Sequence, residues 1–307
     1  MPRTSTASSS RRSPTRAGGT DGSGATPYRP ADISRALEAL GVAPTKGWGQ
    51  SFLTDPFIAD AEAALASVPP GEPVLEIGGG LGLLTAALLR RGMHPLTVVE
   101  KDPRLAAYLR ATFDERIRVL EGDALEVELP PVRVAVGNLP FSVATPILLR
   151  LLPRRIPKIV LLLQREVAER LAATPGTKAY GRLTILARAF GEVELFQTVP
   201  SSSFFPVPAV DGRLVVLSAH PGDLPVGSIP RLEQVVRDLF RARRKQLGNL
   251  LPAITPSGEL PDEVARSAGW PEGWRRRRPE ELPWEAYFRL ADELDRRPRA
   301  RRKGPTP

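Results

Sequence analysis

The feature that most restricts the fold is an alternation. Between residues 74 and 217, short strand-like runs at 74–77, 96–100, 117–120, 132–136, 159–163, 193–199 and 214–217 are interleaved with helical stretches at 83–91, 103–112, 145–152, 165–172 and 182–189. Strands that alternate with helices predict a parallel, doubly wound α/β sheet with helices on its faces. The last two runs have no helix between them, only a segment rich in Pro and Ser, so they are expected to form an antiparallel hairpin at the sheet edge. Ahead of the first strand, Asp55 is placed to cap a helix over 56–66 that has Pro56 at its first position, where a missing N–H is harmless.

Glu76-Ile77-Gly78-Gly79-Gly80-Leu81-Gly82 follows the first strand and opens a helix. Glycines there let the backbone turn tightly and approach a ligand resting on the helix N-terminus. The pattern is E-x-G-x-G-x-G. It is not the dinucleotide fingerprint, whose third glycine would fall at Leu83. Glu100 ends the second strand, where a carboxylate can accept hydrogen bonds from ribose hydroxyls. Asp123 ends the third, where it can accept from an adenine amine. With no Lys or Arg in the loop, the set fits an adenosine-bearing ligand without a pyrophosphate. Helix capping and plain surface exposure are the ordinary alternatives for both acids.

The fourth strand runs into Asn138-Leu139-Pro140-Phe141, at the sheet end where open α/β folds bind ligands. An exocyclic base amine is a poor nucleophile because its lone pair is delocalised into the ring. If the Asn138 carboxamide oxygen and the Leu139 carbonyl each accept one amine hydrogen, the nitrogen is drawn toward tetrahedral geometry and its lone pair is aimed at an electrophile. Pro140 fixes the turn, and Phe141 offers a face on which a base can stack. Asn-x-Pro is also an ordinary turn, and a phenylalanine is ordinary core.

Composition sharpens these readings. The chain has 307 residues, no cysteine and a formal charge of +9. The missing cysteines exclude disulfides, zinc-cysteine sites and thiolate nucleophiles. With His94 and His220 the only histidines, no metal site is expected. No apolar run approaches the ~18 residues that a membrane span needs, and the first 30 residues hold no apolar signal region. A cytoplasmic, monomeric protein without membrane contact is expected. The positive charge is uneven. Residues 1–48 carry 7 basic and 3 acidic side chains, residues 231–246 carry 6 and 2, and residues 275–307 carry 11 and 6, which leaves the rest net acidic. Charge concentrated on flanking elements fits a catalytic body with a peripheral grip on a polyanion; solvated helix faces and tails give the same pattern. The expected organisation is a largely disordered basic arm over 1–44, a catalytic domain over 45–220, a small helical domain over 221–295 and a basic tail over 296–307. Within the helical part, the stripe Leu232, Val235, Val236, Leu239 and Phe240 predicts a helix over 231–251, followed by helices near 261–268 and 284–294.

Five ordered motifs carry a resemblance: Lys46-Gly47-Trp48-Gly49-Gln50-Ser51-Phe52-Leu53, Glu76 to Gly82, Gly122-Asp123-Ala124, Gly137 to Phe141, and Phe204-Phe205-Pro206-Val207-Pro208-Ala209-Val210-Asp211. Together they resemble the ribosomal RNA adenine N6-dimethyltransferases, over roughly residues 45 to 290. The resemblance implies a Rossmann-like class I methyltransferase sheet and S-adenosylmethionine as cofactor. It implies a housekeeping role on two adjacent adenines near the 3′ end of small-subunit rRNA during ribosome assembly, or else a macrolide-resistance role on one adenine of large-subunit rRNA. Leu163-Gln164-Arg165-Glu166, Lys178-Ala179-Tyr180-Gly181-Arg182, Arg243-Arg244-Lys245-Gln246 and Arg278-Pro279-Glu280-Glu281-Leu282 resemble the housekeeping branch. Ser51 stands where the family has Asn. Gly79 stands for its usual Pro, which is expected to loosen the loop. Phe141, where the housekeeping enzymes usually have Tyr, and Val207 to Gly212 lean toward the resistance branch.

Carried over residue by residue, the resemblance implies cofactor contacts at Ser51, Leu53, Gly78, Gly80, Glu100, Asp123 and Asn138. The implied catalytic turn is Asn138, Leu139, Pro140 and Phe141, and the implied stacking faces are Phe141 and Phe204, the latter equally readable as core. The basic residues Arg241, Arg243, Arg244, Lys245, Arg275, Arg276, Arg277 and Arg278 are assigned to RNA. An assembly factor that keeps the fold without the chemistry is the competing class; its mark would be loss of Asn138, Glu100 or Asp123, and all three are present.

Overall fold

The computed structural model describes residues 29–43 and 50–297. In chain order its elements are α1 (Pro30–Ala39), β1 (Phe52–Leu53), α2 (Pro56–Leu65), β2 (Val74–Ile77), α3 (Leu83–Arg90), β3 (Leu96–Glu100), α4 (Pro103–Phe113), β4 (Arg118–Glu121), β5 (Val134–Asn138) and α5 (Ala144–Leu151). There follow β6 (Lys158–Gln164), α6 (Arg165–Leu171), α7 (Arg182–Phe190), β7 (Gly191–Val199), β8 (Phe204–Phe205), β9 (Gly212–Ala219), α8 (Ile229–Phe240), α9 (Leu247–Ile254), α10 (Pro261–Ser267) and α11 (Trp284–Arg296).

The main sheet has the order β4-β3-β2-β5-β6-β9-β7. Its first five strands are parallel, while β9 runs antiparallel to both β6 and β7. The expected hairpin therefore exists, with β9 on the inside and β7 at the edge. Alternating residues divide the strands between two apolar layers. Val74, Val98, Val136, Val160, Leu162 and Leu214 face one, and Leu75, Ile77, Val99, Ala135, Leu161, Leu163 and Val215 face the other. Burial on both faces is why these strands read as unbroken apolar runs. From β2 the chain steps through β3 to β4 on one side and through β5 to β6 on the other. That reversal opens a crevice at the carboxyl ends of β2 and β5, where the glycine loop and the Asn138 turn lie.

Asp55 caps α2 as expected, accepting from the Phe57 N–H at 2.9 Å with Pro56 in the first turn. The short helical pattern that the sequence shows from Asp32 to Leu40, inside the 1–44 arm, forms α1: Ile33 and Leu37 are buried with Val42, Leu81 and Leu105, because their four-residue spacing gives the short helix one apolar side. The preceding residues lie outside those described, as do Lys46 to Gly49 and the tail beyond residue 297. The segment between β7 and β9 is more than a connector. Its β8 pairs antiparallel with β1, placing Phe52 opposite Phe205 and Leu53 opposite Phe204, so the motifs around Ser51 and Phe204 meet. The single helix expected over 231–251 is two helices, and residues 241–245 form the turn between α8 and α9. The apolar stripe stops at Phe240, and Arg241 to Lys245 offer only Ala242 to bury.

The apolar layer over one face of the sheet continues without interruption into α8 and α11, through Leu232, Val235, Val236, Leu239, Tyr287 and Leu290. Tyr180, Phe240 and Tyr287 stack across this junction, with centroid separations of 6.4 and 5.7 Å. Among the described residues, no helix is long and apolar enough to cross a membrane.

Candidate active site

The crevice holds a cavity of about 360 Å³, within the ~300–1,000 Å³ range of small-molecule sites. Ser51, Leu53, Gly78, Gly80, Glu100, Asp123, Asn138, Leu139 and Pro140 all line it. The structure thus brings together nearly every cofactor and turn residue that the sequence singled out, from β1 and from the carboxyl ends of β2, β3, β4 and β5. Gly80 adopts φ +54°, and a Cβ there would sit 3.4 Å from the Phe52 ring, so β1 presses directly on the loop. Gly79 is different. A Cβ at this position would fall 2.5 Å from Val98 Cγ1 and 2.7 Å from Leu109 Cδ1. The loosening expected from Gly79 is offset, because side chains of β3 and α4 fill the space that a larger residue would take.

Two carboxylates organise the cavity wall. The buried Glu100 accepts from the Gly80 N–H through Oε2 and from the Asp102 N–H through Oε1, each at 2.9 Å. It ties the glycine loop to the start of α4. Desolvation raises its pKa, against the lowering effect of these backbone donors. Capping is the task of the next acid along: Asp102 accepts from the Arg104 N–H at 2.9 Å and caps α4. Asp123 accepts from the Leu125 N–H at 2.9 Å and from Lys101 Nζ at 2.7 Å. The Lys101 ammonium, helped by the Leu125 N–H, holds the Asp123 carboxyl below its ordinary value.

Beneath the loop lie two further acids. Glu76, wholly buried, accepts from the Thr85 hydroxyl at 2.7 Å through one oxygen; its other oxygen is buried without a partner. Burial pushes Glu76 up to about 8. Glu62 on α2 is also wholly buried, and among the described residues neither of its oxygens has a partner. Desolvation first, and then the charge of Glu76, raises it well above the carboxylate range. Sequence reasoning quoted Glu76 only as the start of the motif and passed over Glu62 and Lys101. The available signals were a single charge inside the fully buried strand β2, an acid among the alanines of α2, and a lysine directly after Glu100.

In the turn itself, Leu139 is 2% exposed, and the Val143 and Ala144 N–H groups donate to the Pro140 carbonyl, so the turn runs directly into α5. Phe141 is half-buried and follows the turn but does not line the cavity, while Phe204 is 2% exposed and meets it edge to face at 6.3 Å. Of the two readings of Phe204, its burial favours core. With no free face it backs Phe141 and is not positioned to stack a base.

The basic residues divide in two. Arg243 donates to the Lys178 and Thr177 carbonyls at 2.8 and 3.0 Å and pairs with Glu280 at 3.6 Å. It acts as a strut between the turn after α8 and the loop before α7. Arg275 pairs with Asp262 at 2.6 Å and lies over the Trp274 ring. Arg241, Arg244, Lys245 and residues 276–278 are exposed. The two basic runs adjoin, since the Leu247 N–H donates to the Arg277 carbonyl at 2.8 Å. Exposed Lys178 and Arg182, absent from the sequence-based assignment, flank the same junction.

Residues 44–265 match the family model for ribosomal RNA adenine dimethylase. The chain belongs to that family. Among the relatives of this dimethylase, the ribosomal RNA small subunit methyltransferase A of Synechococcus sp. (strain JA-3-3Ab) is 38% identical over 264 residues, covering 82% of this chain and 93% of its own. The probable ribosomal RNA small subunit methyltransferase A of Haloquadratum walsbyi is 39% identical, covering 74% and 79%. Among solved structures, a dimethyladenosine transferase from Plasmodium falciparum superposes with a TM-score of 0.69 at 25% identity, covering 78% of this chain and 95% of its own. The 23S rRNA methyltransferase ErmE does so with a TM-score of 0.62 at 28% identity, covering 80% and 99%. The class I methyltransferase sheet expected from the sequence is the fold observed.

Proposed function

We propose that this dimethylase transfers methyl groups from S-adenosylmethionine to the N6 amine of adenine in small-subunit rRNA, twice per base and on two adjacent adenines, during ribosome assembly. One observation carries the reading: Asn138, Leu139 and Pro140 line the same cavity as the glycine loop, Glu100 and Asp123. The names of the sequence relatives point to the small subunit.

The residues present fit the cofactor. Glu100 suits the ribose hydroxyls, Asp123 the adenine amine, and Ser51, Leu53, Gly78 and Gly80 the remaining wall, while the partnerless oxygen of Glu76 suits a cationic group. S-adenosylmethionine supplies an electrophilic methyl group carried on sulfur. Everything else falls to the chain. The target adenine leaves its stack and enters the crevice, where half-buried Phe141 gives it a face. The Asn138 carboxamide oxygen and the Leu139 carbonyl accept the two amine hydrogens and direct the lone pair toward the methyl. The methylated amine gives its proton to solvent, so no histidine base is required.

The grip on RNA is assigned to exposed Arg241, Arg244, Lys245 and residues 276–278, joined by Lys178 and Arg182. In this division of labour the sheet domain over 45–220 performs the chemistry and the helices over 221–295, with Lys178 and Arg182 beside them, hold the RNA. Labelled methyl transfer to hypomethylated small subunits, large subunits and naked large-subunit rRNA in parallel tests the assignment. Label on small subunits is the expected result. Label confined to large-subunit rRNA would move the chain to the branch whose fold ErmE shares.

A further inference from the structure

Lys101 is a cation in a site whose other charged groups are acids. It follows Glu100 directly, and the pairing of Glu100 with Glu121 across β3 and β4 sets it opposite Gly122, one residue before Asp123. Both Lys101 and Asp123 line the cavity, and their side chains meet at 2.7 Å with 55% and 22% exposure. A carboxylate has about four lone-pair sites. In Asp123 one oxygen serves the Leu125 N–H and the other serves Lys101, so the group is held at both ends with acceptor capacity left over.

We propose that Lys101 is a positioning residue that sets the base specificity of the cofactor site: by holding Asp123 as a single-orientation acceptor, it selects adenine over a 6-oxopurine. The inference rests on Asp123 facing the base. An adenine amine donates to such a carboxylate, whereas a 6-oxo group sets an oxygen lone pair against it. A carboxylate free to rotate into solvent can escape that repulsion. One anchored by a charge-assisted hydrogen bond and a backbone N–H cannot. The Asp123 carboxyl, whose ordinary value already leaves it ionised at neutral pH, is held lower still by Lys101, and a charged acceptor separates the two bases more strongly than a neutral one. Selection of this kind works as much by penalising the wrong ligand as by holding the right one.

The test uses the full chain and two probes, S-adenosylhomocysteine and its 6-oxo counterpart S-inosylhomocysteine, titrated calorimetrically. The wild type is expected to prefer the adenine form. In Lys101→Met the preference falls about tenfold, the size of one charge-assisted hydrogen bond, and Lys101→Arg restores most of it. Equal weakening of both probes in Lys101→Met, or an unchanged preference, overturns the proposal. Asp123→Ala separates the two levels. If its preference matches the wild type, the placement of adenine against Asp123 is itself wrong. If Asp123→Ala loses the preference and Lys101→Met keeps it, only the role of Lys101 fails.

Discussion

At Gly79 the missing side chain is what lets the loop pack, since Val98 and Leu109 occupy the volume a Cβ would need. Gly79→Ala is therefore expected to destabilise the protein by about 1–3 kcal/mol, the usual cost of forcing atoms into a filled core. Urea unfolding measures this, and an unchanged midpoint would show that the two side chains move aside freely. Residues such as Glu100, Asp123 and Asn138 were legible in the sequence because each is a polar residue ending an apolar strand run, and the fold class then fixes where strand ends lie. Lys101 was not legible, because its partner is reached across two parallel strands and not along the chain. Phe204 was readable either as core or as a stacking face, and only its 2% exposure decides.

Among the elements, α2 carries the least expected group. Glu62 is retained in its protonated form by burial, whereas in the unfolded chain it ionises near the ordinary carboxylate value. Below that value both states hold the proton. As pH rises above it, only the native state keeps it, and stability falls by about 1.4 kcal/mol per pH unit for each retained proton. Glu76 adds to the same decline until about pH 8, where it too ionises in the native state. The ligand-free protein is thus expected to lose stability between pH 5 and pH 8, and Glu62→Leu to make that loss smaller. Denaturant midpoints at several pH values check this, and a slope unaltered by the substitution would refute it. The parallel strands and helices up to β6 were readable from periodicity alone. The β1–β8 pair was not, because two-residue strands carry no period and the two lie far apart in the chain, in a small sheet of their own. The break between α8 and α9 was missed for a related reason: basic residues are good helix formers, and only the lack of anything to bury ends the helix.

Over the whole molecule, most of the excess positive charge lies outside the described residues, but within them one group of basic side chains forms a surface. Arg241, Arg244, Lys245 and residues 276–278 converge at the junction of α8 and α9, while Arg243, once counted with them, braces the interior of that junction. Reversing Arg244, Lys245 and Arg277 to Glu is expected to weaken rRNA binding and to flatten its salt dependence, since each lost phosphate contact removes nearly one unit of slope, while leaving S-adenosylmethionine affinity in place. A salt slope equal to that of the wild type would place the RNA elsewhere.

The most direct test of the account is methyl transfer by the wild type and Asn138→Ala on hypomethylated small subunits, with cofactor binding measured alongside and the modified nucleoside identified by mass. The account predicts N6,N6-dimethyladenosine in small-subunit rRNA from the wild type and none from Asn138→Ala, although the variant still binds S-adenosylmethionine. Wild-type turnover by Asn138→Ala, or a methyl group found on any atom other than adenine N6, would contradict it.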